Sequence, residues 1–598
     1  MDKNDIHQLF TIKSPRYIYL YSFIIGIITG LVTVLFSYML AWADLFTFGT
    51  LIGLHQTPPA GEVHFVPTGH HEYKRWVFFF LPALGGLLSG FLTHYFSKES
   101  AGGGIDFVIN TFHHKDGEVN YKVPIIKILA SIATLSTGGS GGKEGPMAQI
   151  GGAIGSLFAT LVGAGARAKR TLLITGAAGG LGAIFRAPLG GALTAVEMMY
   201  TDDMESDAVI PCFISSVTAY LLYTYFTGGG AVFHIKVSPD VNLSEFLFYV
   251  FLGFLCFLSG KIFILLFNKV KEVSASLKIH PVLKPALGGF IVGCIGFFLP
   301  DVVGQGGGFL QSLLNNEASF LQNDSVWMIA LIFLGFGVLK GITTSLTIGS
   351  GGSAGLLIPS LFIGGSLGGF VGILAKGFLI NVDVHITSFM LVGMGGFYSG
   401  IARAPIAGMI MICEMIGSYV LLPPLIIVSM IAYILSHKYA IYKGQYENRF
   451  KSPAHEWDMK AEILDSLTIN SIRSQLKSNA IVTNDKHLQD VQKDAYKIGE
   501  SDFVVVNEKK QYLGIISLRK TALIEDESYH LIIVEDVLDS SVPSIHLGQS
   551  VGKVFNIMLD SDVDKVAVIE NDVVIGYVRF TDILQYYKLS SHYRDARK

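Results

Sequence analysis

The chain has 598 residues, 51% apolar and only 15% charged, with a formal net charge of −3 and a mean hydropathy of +0.49; this excludes an ordinary soluble globule and marks a membrane protein. With 44 Lys and Arg against 47 Asp and Glu, there is no basic excess of the kind nucleic-acid binding needs. Of these charges, 41 lie in the 148 residues from Lys451 onward, so a membrane body precedes a soluble tail.

Residues 1–16 read as a polar N-terminal segment. They carry Lys3, Lys13 and Arg16, whereas Asp44 to Tyr73 has no Lys or Arg, which places the N-terminus in the cytoplasm by the positive-inside rule. The apolar runs Tyr17 to Ala43, Trp76 to Phe96 and Phe246 to Phe267 are each long enough to span a bilayer. The first is too long for a signal-peptide core and stays in the mature protein. His70, His71 and Glu72 read as a solvated turn rather than a metal site, for want of further ligands. Cys212, Cys256, Cys294 and Cys413 sit in apolar surroundings without metal or disulfide spacing and read as small hydrophobes.

From Val123 to Met199, and again from Trp327 to Met415, glycine and proline cut the apolar stretches every few residues. Short, interrupted helices are expected there, and such breaks survive in lipid only when buried in protein or lining a polar cavity. The breaks also repeat. Ala101-Gly102-Gly103-Gly104 echoes Gly304-Gln305-Gly306-Gly307-Gly308, Gly139-Ser140-Gly141-Gly142 recurs as Gly349-Ser350-Gly351-Gly352, and Arg186-Ala187-Pro188 recurs as Arg403-Ala404-Pro405. Nine residues after each of those prolines stand Glu197-Met198 and Glu414-Met415. The body, 17–447, is therefore a duplicated unit divided at about 240/241, and duplicated halves with broken helices point to a transporter with its site between them. After a linker at 448–462, the tail at 463–598 duplicates too, with copies at about 463–527 and 528–590. Phe503-Val504-Val505-Val506 and Gly514-Ile515-Ile516-Ser517 match Val566-Ala567-Val568-Ile569 and Gly576-Tyr577-Val578, each copy reading as strand, turn, strand and helix.

The chemistry concentrates at Gly139-Ser140-Gly141-Gly142-Lys143-Glu144-Gly145-Pro146, where a glycine run meets a proline suited to a first helical turn. The following helix points free N–H groups back at the loop, and glycine lets that loop act as an anion nest. Gly349 to Pro359 offers the same geometry without a carboxylate. Two such ends hold a monovalent anion without a full positive charge that would trap it. Glu144 stands where the anion would bind, so its carboxylate competes for the seat and leaves when protonated; it is the expected gate. Glu197 and Glu414, placed symmetrically, read as structural carboxylates satisfying broken-helix backbone. Arg186 and Arg403 read as helix starts near an interface.

These motifs resemble the CLC chloride channels and proton-coupled chloride exchangers, followed by a pair of CBS (cystathionine-β-synthase) modules. Gly142-Lys143-Glu144-Gly145-Pro146 is similar to that family's gating motif, Gly355-Leu356-Leu357-Ile358-Pro359 to its second anion motif with leucine for phenylalanine, and Tyr442 to its inner tyrosine. The resemblance implies a polytopic all-α membrane protein with an inverted repeat of broken helices, and an α/β CBS pair in the cytoplasm. It also implies chloride held by the backbone around Gly103, Gly104, Gly145, Leu356 and Leu357 and by the Tyr442 hydroxyl, in a homodimer with one pore per subunit. A bacterial inner membrane with both termini cytoplasmic is expected, with chloride and protons as the transported ions and no resident cofactor or metal.

Two departures from the family pattern matter. Gly-Ser-Gly-Ile-Pro appears here as Gly102-Gly103-Gly104-Ile105-Asp106, so a serine hydroxyl is lost and a proline becomes an acid. Met198 stands where many exchangers carry an inner proton-handling glutamate. Asp202, Asp203 and Glu205 follow as candidate substitutes in a proton pathway, although a solvated turn is their favoured reading. The sequence thus leans toward channel-like conduction, with proton-coupled exchange as the alternative. In the tail, a nucleotide-binding Ser/Thr and Asp pair is split: Ser517 in one copy, Asp582 in the other. That favours a dimerisation and gating scaffold over an adenine-nucleotide site. A CBS-regulated divalent-cation transporter would need clustered intramembrane carboxylates, and an intramembrane protease on Ser140 would need a matching histidine. No enzyme activity is expected.

Overall fold

Glycine and proline end the helices of the body where the sequence breaks suggest. The computed structural model describes residues 17–54, 59, 61–65, 72–236, 242–315, 317–322, 325–379, 382–455, 468–523, 528–561 and 563–583. Lys3, Lys13, Arg16, His70 and His71 lie outside the described residues, as do residues 456–462 of the expected linker; Glu72 is exposed. The chain divides into two compact units, Met1–Ala454 and His455–Lys598.

Among its described residues the first unit holds eight α-helices and then their eight counterparts. They are α1 (Tyr17–Asp44), α2 (Leu81–Phe96), α3 (Ile105–His114), α4 (Lys122–Leu135), α5 (Glu144–Leu161), α6 (Ala166–Phe185), α7 (Pro188–Glu197) and α8 (Val209–Thr227), followed by α9 (Phe246–Ser276), α10 (Leu283–Phe298), α11 (Gly307–Leu314), α12 (Val326–Gly349), α13 (Leu357–Phe378), α14 (Ile386–Ala402), α15 (Pro405–Ile416) and α16 (Leu422–Leu435). Among the described residues, six segments are long and apolar enough to cross a membrane, Tyr17–Ile52 and Leu243–Ser276 included. The glycines inside α5, α6, α13 and α14 mark touching backbones. A Cβ at Gly176 would run into the Gly151 carbonyl, and one at Gly393 into the Gly364 carbonyl, the close approach that small residues permit between helices in lipid.

The duplicated arginines behave differently from the expectation of helix starts. Arg186 and Arg403 end α6 and α14 in the left-handed conformation, at φ 51° and 58°. Each is buried, and its guanidinium satisfies the end of a neighbouring helix: Arg186 donates to the Thr227 carbonyl, Arg403 to that of Tyr433. Proline at the following helix start forces the sharp corner, and the arginine side chain turns to the end of the neighbouring helix.

In the second unit each copy forms a three-stranded sheet: β1 (Ile481–Thr483), β2 (Asp502–Val506) and β3 (Tyr512–Ser517), then β4 (Ile545–His546), β5 (Lys565–Glu570) and β6 (Val573–Arg579). Sequence alternation finds the antiparallel pairs β2–β3 and β5–β6 but misses β1 and β4, which add in parallel and are too short to show a period. Between the copies, Glu500 takes Lys565 at 2.8 Å and Arg579 at 3.1 Å, while Arg579 also holds Asp582 at 2.8 Å. Burial works against both carboxylates, but these cations outweigh it and hold Glu500 and Asp582 below their usual range. The Lys565 ammonium is itself pushed down by its burial, so Arg579 is the stronger anchor of the network. Groups depressed in the folded state stabilise above the unfolded carboxyl pKa, about 4, and lose that contribution as pH falls through the folded value. Hydrogen exchange on the intact protein should therefore show the second unit loosening below about pH 4; equal protection at pH 7 and pH 3 would count against the network.

Candidate functional site

Four glycine loops meet at the centre of the first unit, and their hydrogen bonds cross between the repeats. Gly142 and Gly355 exchange main-chain bonds, 2.8 and 2.6 Å, and Gly304 donates to the Gly138 carbonyl at 3.0 Å. The Ser140 main-chain N–H bonds Thr347 Oγ1 of α12 at 3.0 Å, while the Ser353 N–H bonds Thr134 Oγ1 of α4 at 3.2 Å. The Ser140 hydroxyl meets Thr344, and that of Ser353 meets Ser131. Each loop is thus held by the other repeat's helix, which satisfies backbone that lipid could not. Ser140 is a structural hydroxyl in this arrangement.

Two lysines complete the frame. Lys127 in α4 is 0% exposed and donates to the carbonyls of Ser100 (3.2 Å) and Gly102 (2.8 Å); Lys340 in α12, also 0% exposed, donates to those of Val302 (3.3 Å) and Gly304 (2.8 Å). Neither joins an ion pair among the described residues. Lone lysines in apolar helices are costly to bury, and the carbonyls they meet belong to the loops that lead into α3 and α11. Sequence reading passed over them, although they stand 213 residues apart, the same interval that separates Ser140 from Ser353 and Glu144 from Leu357.

The N-termini of α3, α5 and α13 converge on this frame. Gly104 has φ +92°, and a Cβ there would strike the Gly145 carbonyl; one at Gly145 would strike the Gly103 carbonyl and come within 2.8 Å of Gly355 Cα. Gly103, Gly104, Gly145, Leu356 and Leu357 are therefore brought together. Glu144, the first residue of α5, is 1% exposed, and both its carboxylate oxygens are buried with no hydrogen-bond partner among the described residues. The carboxylate folds back over Gly142. The main-chain N–H groups of Glu144 and Ile358 lie within electrostatic reach of it without making a well-formed bond. Ile358 was not singled out from the sequence, because a backbone donor leaves no mark on side-chain pattern.

On one side of Glu144 its neighbour Lys143 pairs with Glu62 at 2.8 Å, both nearly buried. They line a cavity of about 390 Å³ with Asp44, His64 and Ile358. Also buried are Tyr442, 2% exposed, and Tyr398, 1% exposed, whose hydroxyl has no partner among the described residues. Both phenols are within electrostatic reach of Glu144. Tyr398 is a further pathway candidate that the sequence did not reveal, since it has no counterpart in the other repeat.

The paired glutamates cap each other's helices. Glu197, ending α7, accepts from the N–H groups of Ile406 and Ala407 at 3.3 and 2.8 Å, and Glu414 near the end of α15 accepts from Leu189 and Gly190 at 3.1 and 2.8 Å. The two helices accordingly run antiparallel. Met198 follows Glu197 and is fully buried. The turn behind it is not simply solvated, as the sequence suggested: Glu205 is buried and accepts from the Tyr200 hydroxyl at 2.8 Å beside Arg449, and Asp202 pairs with the buried Arg403. Asp203 accepts from the Arg449 main-chain N–H. Arg449, distant in sequence, folds over the buried Glu205, while Asp202 stays exposed beside the buried Arg403.

In the second unit, Ser517 donates to the fully buried Asp502 at 2.6 Å, and Asp582 is taken up by Arg579. Ser517 ends β3 of the first copy, and Asp582 follows β6 of the second.

Residues 85–437 match the voltage-gated chloride channel family, and residues 534–589 match the CBS domain. The H(+)/Cl(-) exchange transporter ClcA of Salmonella paratyphi B is 28% identical over 432 residues, 71% of this chain and 86% of that protein. Among solved structures, a slow cyanobacterial Cl-/H+ antiporter superposes with a TM-score of 0.59 at 21% identity, over 76% of this chain and 100% of the other. A eukaryotic CLC transporter superposes at 0.56 and 18% identity, over 94% and 97%. These two show a shared fold.

Proposed function

Since the chain belongs to the voltage-gated chloride channel family, whose work is chloride transport across membranes, we propose that chloride passes between the N-termini of α3, α5 and α13 under the control of Glu144. The observation that carries this reading is the Glu144 carboxylate, buried and unbonded at a junction of helix N-termini. An ionised carboxylate there takes the place of the permeant anion, and protonation releases it. Met198 removes the usual inner glutamate, which favours channel-like conduction. Proton-coupled exchange is the second reading, favoured by the 28% identity to the ClcA exchanger. Reversal potential under opposed chloride and proton gradients separates them: a potential that follows chloride alone supports conduction, and one displaced by the proton gradient overturns it.

The central seat lacks a side-chain donor at Gly103, yet a Cβ there would meet nothing nearer than Leu356 Cδ1 at 3.9 Å. G103S should therefore fold normally and bind chloride more tightly, by roughly 2- to 10-fold, the worth of one hydrogen bond of about 0.5–1.5 kcal/mol. Calorimetric chloride titration checks it, and unchanged affinity would show that no anion sits beside residue 103. The protein acts as a homodimer with its C-terminal unit as a cytoplasmic scaffold rather than a nucleotide sensor, consistent with Ser517 and Asp582 being engaged elsewhere.

A further inference from the structure

Asp106 occupies the second position of α3, where the family pattern has proline, and it shares a feature with Glu144. Its Oδ1 is buried with no hydrogen-bond partner among the described residues. Both acids stand in the first turn of a helix whose N-terminus joins the glycine frame, and Gly104, two residues before Asp106, rests on the Gly145 carbonyl. The segment Tyr442-Lys443-Gly444 runs along α3, with the Cβ position of Gly444 3.2 Å from Ile109 Cγ2. Tyr442 lies within electrostatic reach of Asp106 and of Glu144 at once. The charged and titratable groups facing Asp106 are Lys271 of α9, and Lys443 and Tyr442 beyond α16.

We propose that Asp106 is a second carboxylate gate, at the Tyr442 end of the pathway, that excludes chloride when ionised and admits it when a proton binds its carboxylate. This rests on the chloride pathway proposed above. An ionised carboxylate at a helix N-terminus satisfies the partial positive charge that would otherwise draw in an anion. A fixed negative charge at a narrow, low-dielectric mouth also repels the permeant ion. A neutral side chain does neither. On this proposal Glu144 and Asp106 each answer to acidity from a different face of the membrane, so the pathway reads two proton concentrations independently.

The test is chloride current through the full-length protein in membrane patches, with pH stepped on one face at a time. In the wild type, acidification of either face should raise current, by up to about tenfold per pH unit while a single carboxylate is titrated. D106N should carry current at the acid level from one face regardless of its pH and keep the response from the other. E144Q should show the reverse pattern, and the double variant neither response. D106N with both responses intact overturns the proposal, as does a folded D106N without current. Should D106N fail to fold, D106E decides: a displaced pH response on one face supports the second gate, and a response identical to wild type overturns it. Absence of chloride current in both the wild type and E144Q would instead sink the chloride reading, and the second gate with it.

Discussion

Replacing Glu144 by glutamine should leave chloride flux constant while pH is varied on the face that Glu144 answers to, and abolish any proton movement coupled to it. The carboxamide has nearly the shape of the carboxylic acid, so the fold should survive. It cannot ionise, so it has no charge with which to compete for the seat between the α5 and α13 ends. Wild-type flux should change by about tenfold per pH unit at most, the limit for one titrating group. In vesicles with a chloride gradient, E144Q should conduct at the wild-type acid rate at every pH on that face. Retention of the wild-type response on both faces would mean that some other group seals the path.

Gly145→Ala should be nearly as damaging for a different reason. The added methyl meets the Gly103 carbonyl and Gly355 Cα, both main-chain atoms that no rotamer change can move. Three loops must part, at about 1–3 kcal/mol for an overpacked position, and the converging N–H groups then lose their common focus. A fall in the thermal midpoint of the purified protein and a loss of chloride flux greater than about tenfold are expected, since 1.4 kcal/mol already corresponds to a factor of ten. G103S, in open space on the neighbouring loop, serves as the matched control. Full flux in G145A would show that the loops need not touch for transport.

The contrast between these two glycines shows where sequence reading stops. Both lie in glycine-rich motifs and look alike in one dimension, yet one position is open and the other is pressed between two backbones. The same holds for the acids after Met198. Spacing and polarity suggested a solvated turn, which holds for the exposed Asp202, whereas Glu205 is buried beside Arg449.

What the sequence determined by itself was the membrane body and soluble tail, the duplication of each, the broken helices and the place of Glu144 at a helix start. Hydropathy, interval and the glycine and proline content of a loop are local properties, readable without knowing what lies opposite. Only the tertiary structure decided that the loops of one repeat are bonded by helices of the other. It alone showed that Lys127 and Lys340 hold their carbonyls, that Glu197 and Glu414 cap each other's helices, and that the segment after α16 runs along α3 at Gly444 and Ile109. Those are contacts between residues up to more than three hundred positions apart, set by which backbones pack closely enough to satisfy polar groups away from water, and linear spacing carries no record of that packing.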